Sequence, residues 1–259
     1  MVSKMKKSGQ ITVFIIIAVI IVAGIALFFI IMSKTKPTMS RPSMENPQAY
    51  VEQCAQDAAS RAIEIILPQG GWISPINYKM YNDTKVAYLC YIGVNYKACI
   101  MQTPLFIRHI EGEITNYTHP IIESCFQVLK TELEAKKYNV EMGEMNVSTE
   151  LGTNGVKIKI NRDFNIEKNK ETRRFNSFNA AFNSPVYNLA VVALDIANQE
   201  AKFCNFEYLG YMIFHKEFNI DKKPVGSGEN ASKIYIIQDR YTGKKLNIAI
   251  RSCAIPAGF

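Results

Sequence analysis

The sequence predicts an α+β protein: one N-terminal transmembrane helix, then an extracytoplasmic, disulfide-stabilised domain of three main helices and antiparallel strands. Three observations carry that expectation. Residues 11–32 are an uncharged, almost wholly apolar run. Further on, helical and two-residue hydrophobic periods occur in separate blocks, as in α+β chains. All six cysteines (Cys54, Cys90, Cys99, Cys125, Cys204 and Cys253) follow the apolar run.

Residues 1–10 form a basic tail with Lys4, Lys6 and Lys7. In the run Ile11–Met32, Thr12 is the only strongly polar side chain. At 1.5 Å per residue the run reaches about 33 Å, enough for a hydrocarbon core of about 30 Å. A lone segment there satisfies its backbone only as a helix. It exceeds the usual signal-peptide core of about 7–15 residues and has no small-x-small site before Lys34. Lys34, Lys36 and Arg41 follow the run, so charge favours a cytoplasmic N-terminus only slightly. The easily translocated polar part places the C-terminal domain outside. The expected location is therefore the cell membrane, with a single pass.

Residues 33–46 are polar, with Pro37 and Pro42 and no apolar period, and read as a linker. Residues 47–259 follow as an extracytoplasmic α+β domain, either one body or two subdomains divided near residue 139. Asn46 before Pro47 has the chemistry of a helix start. Val51, Cys54, Ala55, Ala58, Ala62, Ile65 and Ile66 then recur at helical spacing, predicting a helix over 47–67 that stops at Pro68-Gln69-Gly70-Gly71. Residues 86–102 are β-branched and aromatic and turn around Gly93–Asn95, a hairpin that would bring Cys90 close to Cys99. Residues 119–138 predict an amphipathic helix with Ile121, Ile122, Cys125, Leu129 and Leu133 on its apolar stripe. Cys54 and Cys125, each on a core-facing helix stripe, form a second candidate pair. Cys204 and Cys253 would then remain, although the spacing alone permits other connectivities.

Residues 139–180 alternate with period two and turn at Asn154-Gly155 and Asn169-Lys170, predicting a meander with one polar face. Val186, Leu189, Ala190, Ala193, Leu194 and Ala197 mark a helix over 184–204. Two strands around Thr242-Gly243 complete a second hairpin.

The formal charge of +7 invites a nucleic-acid reading. Residues 1–41 hold six of the 30 basic residues and none of the 23 acidic ones, so residues 42–259 net +1. A nucleic-acid partner, which asks for a concentrated basic face, is excluded from the expectation. An even number of cysteines beyond the span fits an oxidising compartment, and no Cys-x-x-Cys suggests zinc or redox chemistry. Asn-x-Ser/Thr sequons at Asn82, Asn116, Asn146 and Asn230 are compatible with surface glycosylation.

Chemistry is sparse. Of three histidines, His109 and His119 bracket Glu111 and Glu113. On a strand, His109, Glu111 and Glu113 would share a face able to hold a cation, although a solvated edge or helix start is the stronger reading. Residues 224–230, "PVGSGEN", lack the Gly-Lys-Ser/Thr of a phosphate cradle and read as a loop. The basic stretch 168–174 and the pairs Lys222–Lys223 and Lys244–Lys245 are placed at hairpin tips, solvated or offered to an anionic surface polymer. Trp72, after two glycines, reads as a packed turn ahead of a sugar-stacking platform. No catalytic group, metal or cofactor is implied.

Lys6-Lys7-Ser8-Gly9 ahead of Gln10 and the run Ile11–Met32 resemble the N-terminus of archaeal type IV pilin-like proteins. That resemblance implies a membrane-peptidase cut at Gly9–Gln10, after which helices pack into a filament core. Phe14 departs from it, standing where many bacterial relatives carry a glutamate that archaeal and tight-adherence-type pilins often lack. Gly9–Ile15, Cys54 and Gln69–Trp72 are also similar to features of membrane-anchored extracellular proteins of small-genome archaea, which bears on location rather than activity. The expected role is a non-catalytic cell-surface protein for attachment, envelope structure or pilus-like assembly. Its expected partners are the lipid bilayer and itself or other pilin-like subunits. The alternative is an anchored extracytoplasmic enzyme or ligand-binding module using the His109–His119 region.

Overall fold

The computed structural model describes residues 16–22 and 46–255. The chain divides into two compact units, residues 1–41 and 42–259. In the first, residues 16–22 form helix α1. Among the described residues no helix is long and apolar enough to cross a membrane. This corrects the transmembrane helix of the expected fold: the described helical residues of the run, 16–22, rise about 10 Å, a third of a hydrocarbon core. The rest of Ile11–Met32, the tail with Gly9 and Gln10, and all of the linker except Asn46 lie outside the described residues.

The second unit is α+β. Its elements are α2 (Pro47–Ile66), β1 (Tyr78–Tyr81), β2 (Thr84–Tyr91), β3 (Ile100–Met101), α3 (Phe106–Ala135), β4 (Asn139–Met142), β5 (Asn146–Gly152), β6 (Gly155–Lys168) and β7 (Glu171–Phe182). They continue with α4 (Val186–Phe203), α5 (Tyr208–Phe214), β8 (Phe218–Val225), a 3-10 turn (Gly228–Asn230), β9 (Ser232–Asp239) and β10 (Lys245–Arg251).

Helix α2 begins as its sequence asks: the Asn46 side chain accepts from the Ala49 amide at 3.4 Å and Pro47 opens the first turn. Its stripe of Val51, Ala55, Ala59, Ala62 and Ile66 is buried against α3. Small residues there let the two helices approach closely, and Cys54–Cys125 joins them. Helix α3 starts 13 residues before the predicted position. Leu105 gives its N-terminus no side-chain cap, and Pro120, which resembles a start, lies inside the helix on an exposed position. A proline there costs one backbone bond but no buried donor. Gly71, which ends the α2–β1 turn, has φ +88°, and a Cβ on it would sit 2.6 Å from Phe106 Cε2. The start of α3 therefore presses directly on that turn.

Two sheets complete the unit. The first runs β1-β2-β10-β9-β8, with β3 also on β2. All its pairs are antiparallel except β2 with β10, which run parallel with Tyr88 opposite Ala249 and a register shift after it. That parallel pair departs from the purely antiparallel expectation. In the second sheet the 14-residue β6 pairs along one edge with β7, and along the other with β5 and β4 in tandem. The turns at Asn154-Gly155 and Asn169-Lys170 are as the alternation predicts. Residues 139–182 make up this whole sheet, yet one hydrophobic core runs through both sheets and α2, α3 and α4. Lys222 and Lys223 lie within β8 rather than at a hairpin tip.

Candidate functional site

Helix α4 carries Leu189, Ala193 and Ile196 on its buried face, and Glu200 falls next on that stripe with no exposure. A carboxylate in that position needs partners, because an isolated buried charge is very costly. Strand β9 supplies them through alternation: Lys233, Tyr235 and Ile237 share one face of the strand. Lys233 Nζ donates to Glu200 Oε1 at 2.9 Å, to Oε2 at 2.6 Å and to the Cys204 carbonyl at 2.5 Å. The Tyr235 hydroxyl donates to Glu200 Oε1. Burial pushes the Tyr235 phenol well up, and its bond to the Glu200 carboxylate pushes it further.

Ser252, just past β10, closes the arrangement. Its hydroxyl donates to the Glu200 carbonyl at 2.9 Å and accepts from the Cys99 amide at 3.1 Å. The three protons of Lys233 thus each have an acceptor, and both Glu200 oxygens are occupied. Two disulfides meet at this place, Cys204–Cys253 and Cys90–Cys99. Cys204 ends α4 in the left-handed region at φ +56°. A cavity of about 250 Å³ lies beside the cluster, lined by Gly226, Ser232, Lys233, Ser252, Cys253 and Ile255. Chemically the cluster locks α4, β9, β10 and the β2–β3 loop together.

The His109 region forms differently from the strand reading. His109, Glu111 and Glu113 lie on α3, where Glu111 at i+2 points away from His109. Glu111 Oε1 accepts from the Leu151 amide at 2.9 Å, whereas Glu113 Oε2 accepts from the Ile73 amide at 2.7 Å. Trp72 packs on His109 with ring centroids 4.0 Å apart, so it forms a packed turn. Burial lowers the His109 pKa, against the opposing effects of Glu113 and a backbone bond to Gly71, and its Nε2 is buried with no partner among the described residues. His119 is exposed ten residues on, about 15 Å along the helix, so the two histidines form no common site. Among the described residues no group of three or more His, Cys, Asp or Glu gathers to hold a metal.

The sulfur atoms pair as Cys54–Cys125, Cys90–Cys99 and Cys204–Cys253, leaving no free cysteine among the described residues. The four sequon asparagines Asn82, Asn116, Asn146 and Asn230 are exposed. The hydroxyl partners of two sequons, Thr118 and Ser232, are buried, Ser232 within 2.8 Å of the Tyr88 hydroxyl. The stretch 224–230 is the end of β8 and a turn. Sequence reasoning missed the Glu200 cluster; its one local signal was a carboxylate continuing the apolar stripe of α4. Comparison with known protein families, curated proteins and solved structures gives no match.

Proposed function

We propose that the second unit is a non-catalytic domain working outside the reducing cytoplasm, at the cell surface, in attachment or pilus-like assembly. The observation that carries this reading is the pairing of all six cysteines across separate elements, at sequence separations of 9, 49 and 71. Disulfides form and persist in oxidising compartments. Their placement supports a mechanical role, since they tie helix to helix and helix end to strand end rather than framing a reactive thiol. Exposed apolar side chains support binding to another surface: Leu209, Ile213 and Phe214 of α5 are turned to solvent.

The test is to alkylate intact cells, then map peptides without reduction. All six cysteines in the three disulfides, together with cleavage of the unit by added protease, are expected. Alkylated cysteines and full protease protection would overturn the proposal. Pilin-type processing is a separate part of it, read from the mature N-terminus: a chain starting at Gln10 is the expected outcome, and one starting at Met1 or Val2 opposes it.

A further inference from the structure

One end of the second unit is apolar and basic at once. The Tyr96 amide donates to the Ala254 carbonyl at 3.0 Å and the Cys253 amide to the Lys97 carbonyl at 2.8 Å, bringing the β2–β3 loop onto residues 253–255. The Cys204–Cys253 bridge adds the end of α4. Large apolar side chains on these joined segments face solvent: Phe203 is 62% exposed, Tyr96 59%, Ile255 58% and Val94 55%. Ile100, next to Cys99, is exposed as well. Such side chains gathered at one end are unlike the scattered apolar residues of an ordinary surface.

The charges say what covers them. Residues 92–105, 201–206 and 250–255 include Lys97 and Lys202 and no aspartate or glutamate, while Arg251 among them is buried and bonded to Asn95 of the loop. Lys97 and Lys202 are exposed, with the Lys202 ammonium 5.0 Å from the Phe203 ring centroid. Of the two acids that flank residues 201–206, Glu200 is fully buried and bonded to Lys233. Glu207 is exposed, accepts from the Leu209 amide and lies near Lys222, which offsets its charge. Aromatic and aliphatic side chains among lysines suit the boundary between headgroups and acyl chains, where rings insert and cations meet anionic lipids. A second copy placed face to face would set Lys97 and Lys202 against like charges, so the charge pattern disfavours self-association there.

We propose that this end of the unit, with Phe203, Tyr96 and Ile255 at its centre, docks peripherally on an anionic lipid surface. Two disulfides and the Glu200–Lys233 lock hold the segments in place, so docking needs no ordering of loops and loses little entropy. This goes beyond the proposed attachment role by naming a lipid partner and the face that meets it.

The experiment uses the full chain with a position-specific readout, so that the apolar run at residues 11–32 does not decide the result. A Phe203→Trp variant is mixed with vesicles of phosphatidylcholine, with or without phosphatidylglycerol, carrying brominated acyl chains. Its emission, after subtraction of the wild-type Trp72 signal, is expected to be quenched when phosphatidylglycerol is present, and much less without it. Adding Lys97→Gln should lower the docked-to-free ratio about fivefold, and adding Tyr96→Gln should also reduce quenching. An Asn161→Trp variant on the polar sheet face should stay unquenched. The proposal is overturned if the Phe203→Trp variant is unquenched in both lipids, or if the Asn161→Trp variant is quenched equally. It is also overturned if the face is shielded without lipid by association of the protein with itself, read by sedimentation.

Discussion

The mixed sheet sets Ala249 beside Tyr88, whereas the β4–β7 sheet is one uninterrupted stretch, residues 139–182. Closing the first means bringing together segments from far apart in the chain. Two disulfides and the Glu200–Lys233–Tyr235 cluster gather at its end. The second sheet contains no cysteine. Its strands are joined by hairpins, and its inner face is held by rings: Phe178 meets Phe126 at 5.1 Å, Phe175 at 5.9 Å and Phe164 at 6.4 Å between centroids. Arg162 adds a bidentate pair to Glu123 of α3, its Nη1 at 2.6 Å from Oε2. Two of the three cross-links thus gather where distant segments close a sheet, whereas the local sheet relies on apolar packing and one ion pair to α3.

The strongest way to break that comparison is to remove both cross-links from the mixed sheet. Replacing Cys90, Cys99, Cys204 and Cys253 with alanine should cost on the order of 6 kcal/mol from the lost loop constraints alone. Urea denaturation would measure it. Hydrogen exchange would sharpen it: amides of β2, β9 and β10 should lose protection while those of β6 and β7 retain it. Equal loss in both sheets would show that the division is not energetic.

On the other side, Phe178→Ala should cost about 4 kcal/mol, because the fully buried ring leaves a cavity among three others. The local sheet should suffer more from this change than from any loss of disulfide. A cost under about 1 kcal/mol would mean the site collapses freely and the aromatic cluster matters little.

The same contrast governs what could be read from the sequence. Most of the local sheet was legible because near-continuous alternation and the turns at Asn154 and Asn169 specify its register without reference to distant residues. The register shift between Asn161 and Phe164 and the break at 143–145 had no such signal. Helix α2 was legible from Asn46-Pro47 and its stripe. The first half of α3 was not, because "RHIEGEITNY" mixes β-branched and polar residues, Leu105 supplies no cap, and His119-Pro120 imitates a start. Strands β1 and β8 are polar or short and are defined by their neighbours. The parallel β2–β10 pair and the Glu200–Lys233 contact join residues with no local signature of each other. The pairing of Cys54 with Cys125 was suggested only because both cysteines lie on recognisable helix stripes.

A smaller effect probes the buried charge. Glu200→Gln should cost about 3 kcal/mol, since it leaves Lys233 charged against a weaker acceptor in a largely buried place. The double change Glu200→Leu with Lys233→Met should cost clearly less than the single one, because no unpaired charge remains. If both changes cost the same, the cluster contributes through packing rather than through its ion pair. Thermal melts of the two variants decide this.

The smallest effect lies where α3 presses on the α2–β1 turn, and it is visible only through pH. His109 is half-buried against Trp72, and burial holds its pKa below the ordinary value near 6.5. The unfolded chain therefore binds this proton more readily than the folded one. Stability from the neutral ring is complete above about pH 6.5, falls as the pH drops below it, and levels off once the folded state also takes up the proton. The unpartnered Nε2 gives the physical reason, since a proton added there would be buried without an acceptor. Glu113 offsets part of the cost but spends Oε2 on the Ile73 amide. Urea midpoints at pH 7.5 and pH 5 should therefore differ more in the wild type than in His109→Phe, which keeps the ring stacking and removes the titration. The same difference in both would place the acid sensitivity in another group, but not in the Glu123–Arg162 pair of the local sheet, whose depressed carboxyl keeps its full contribution across this range and loses it only as the pH falls below about 4.5.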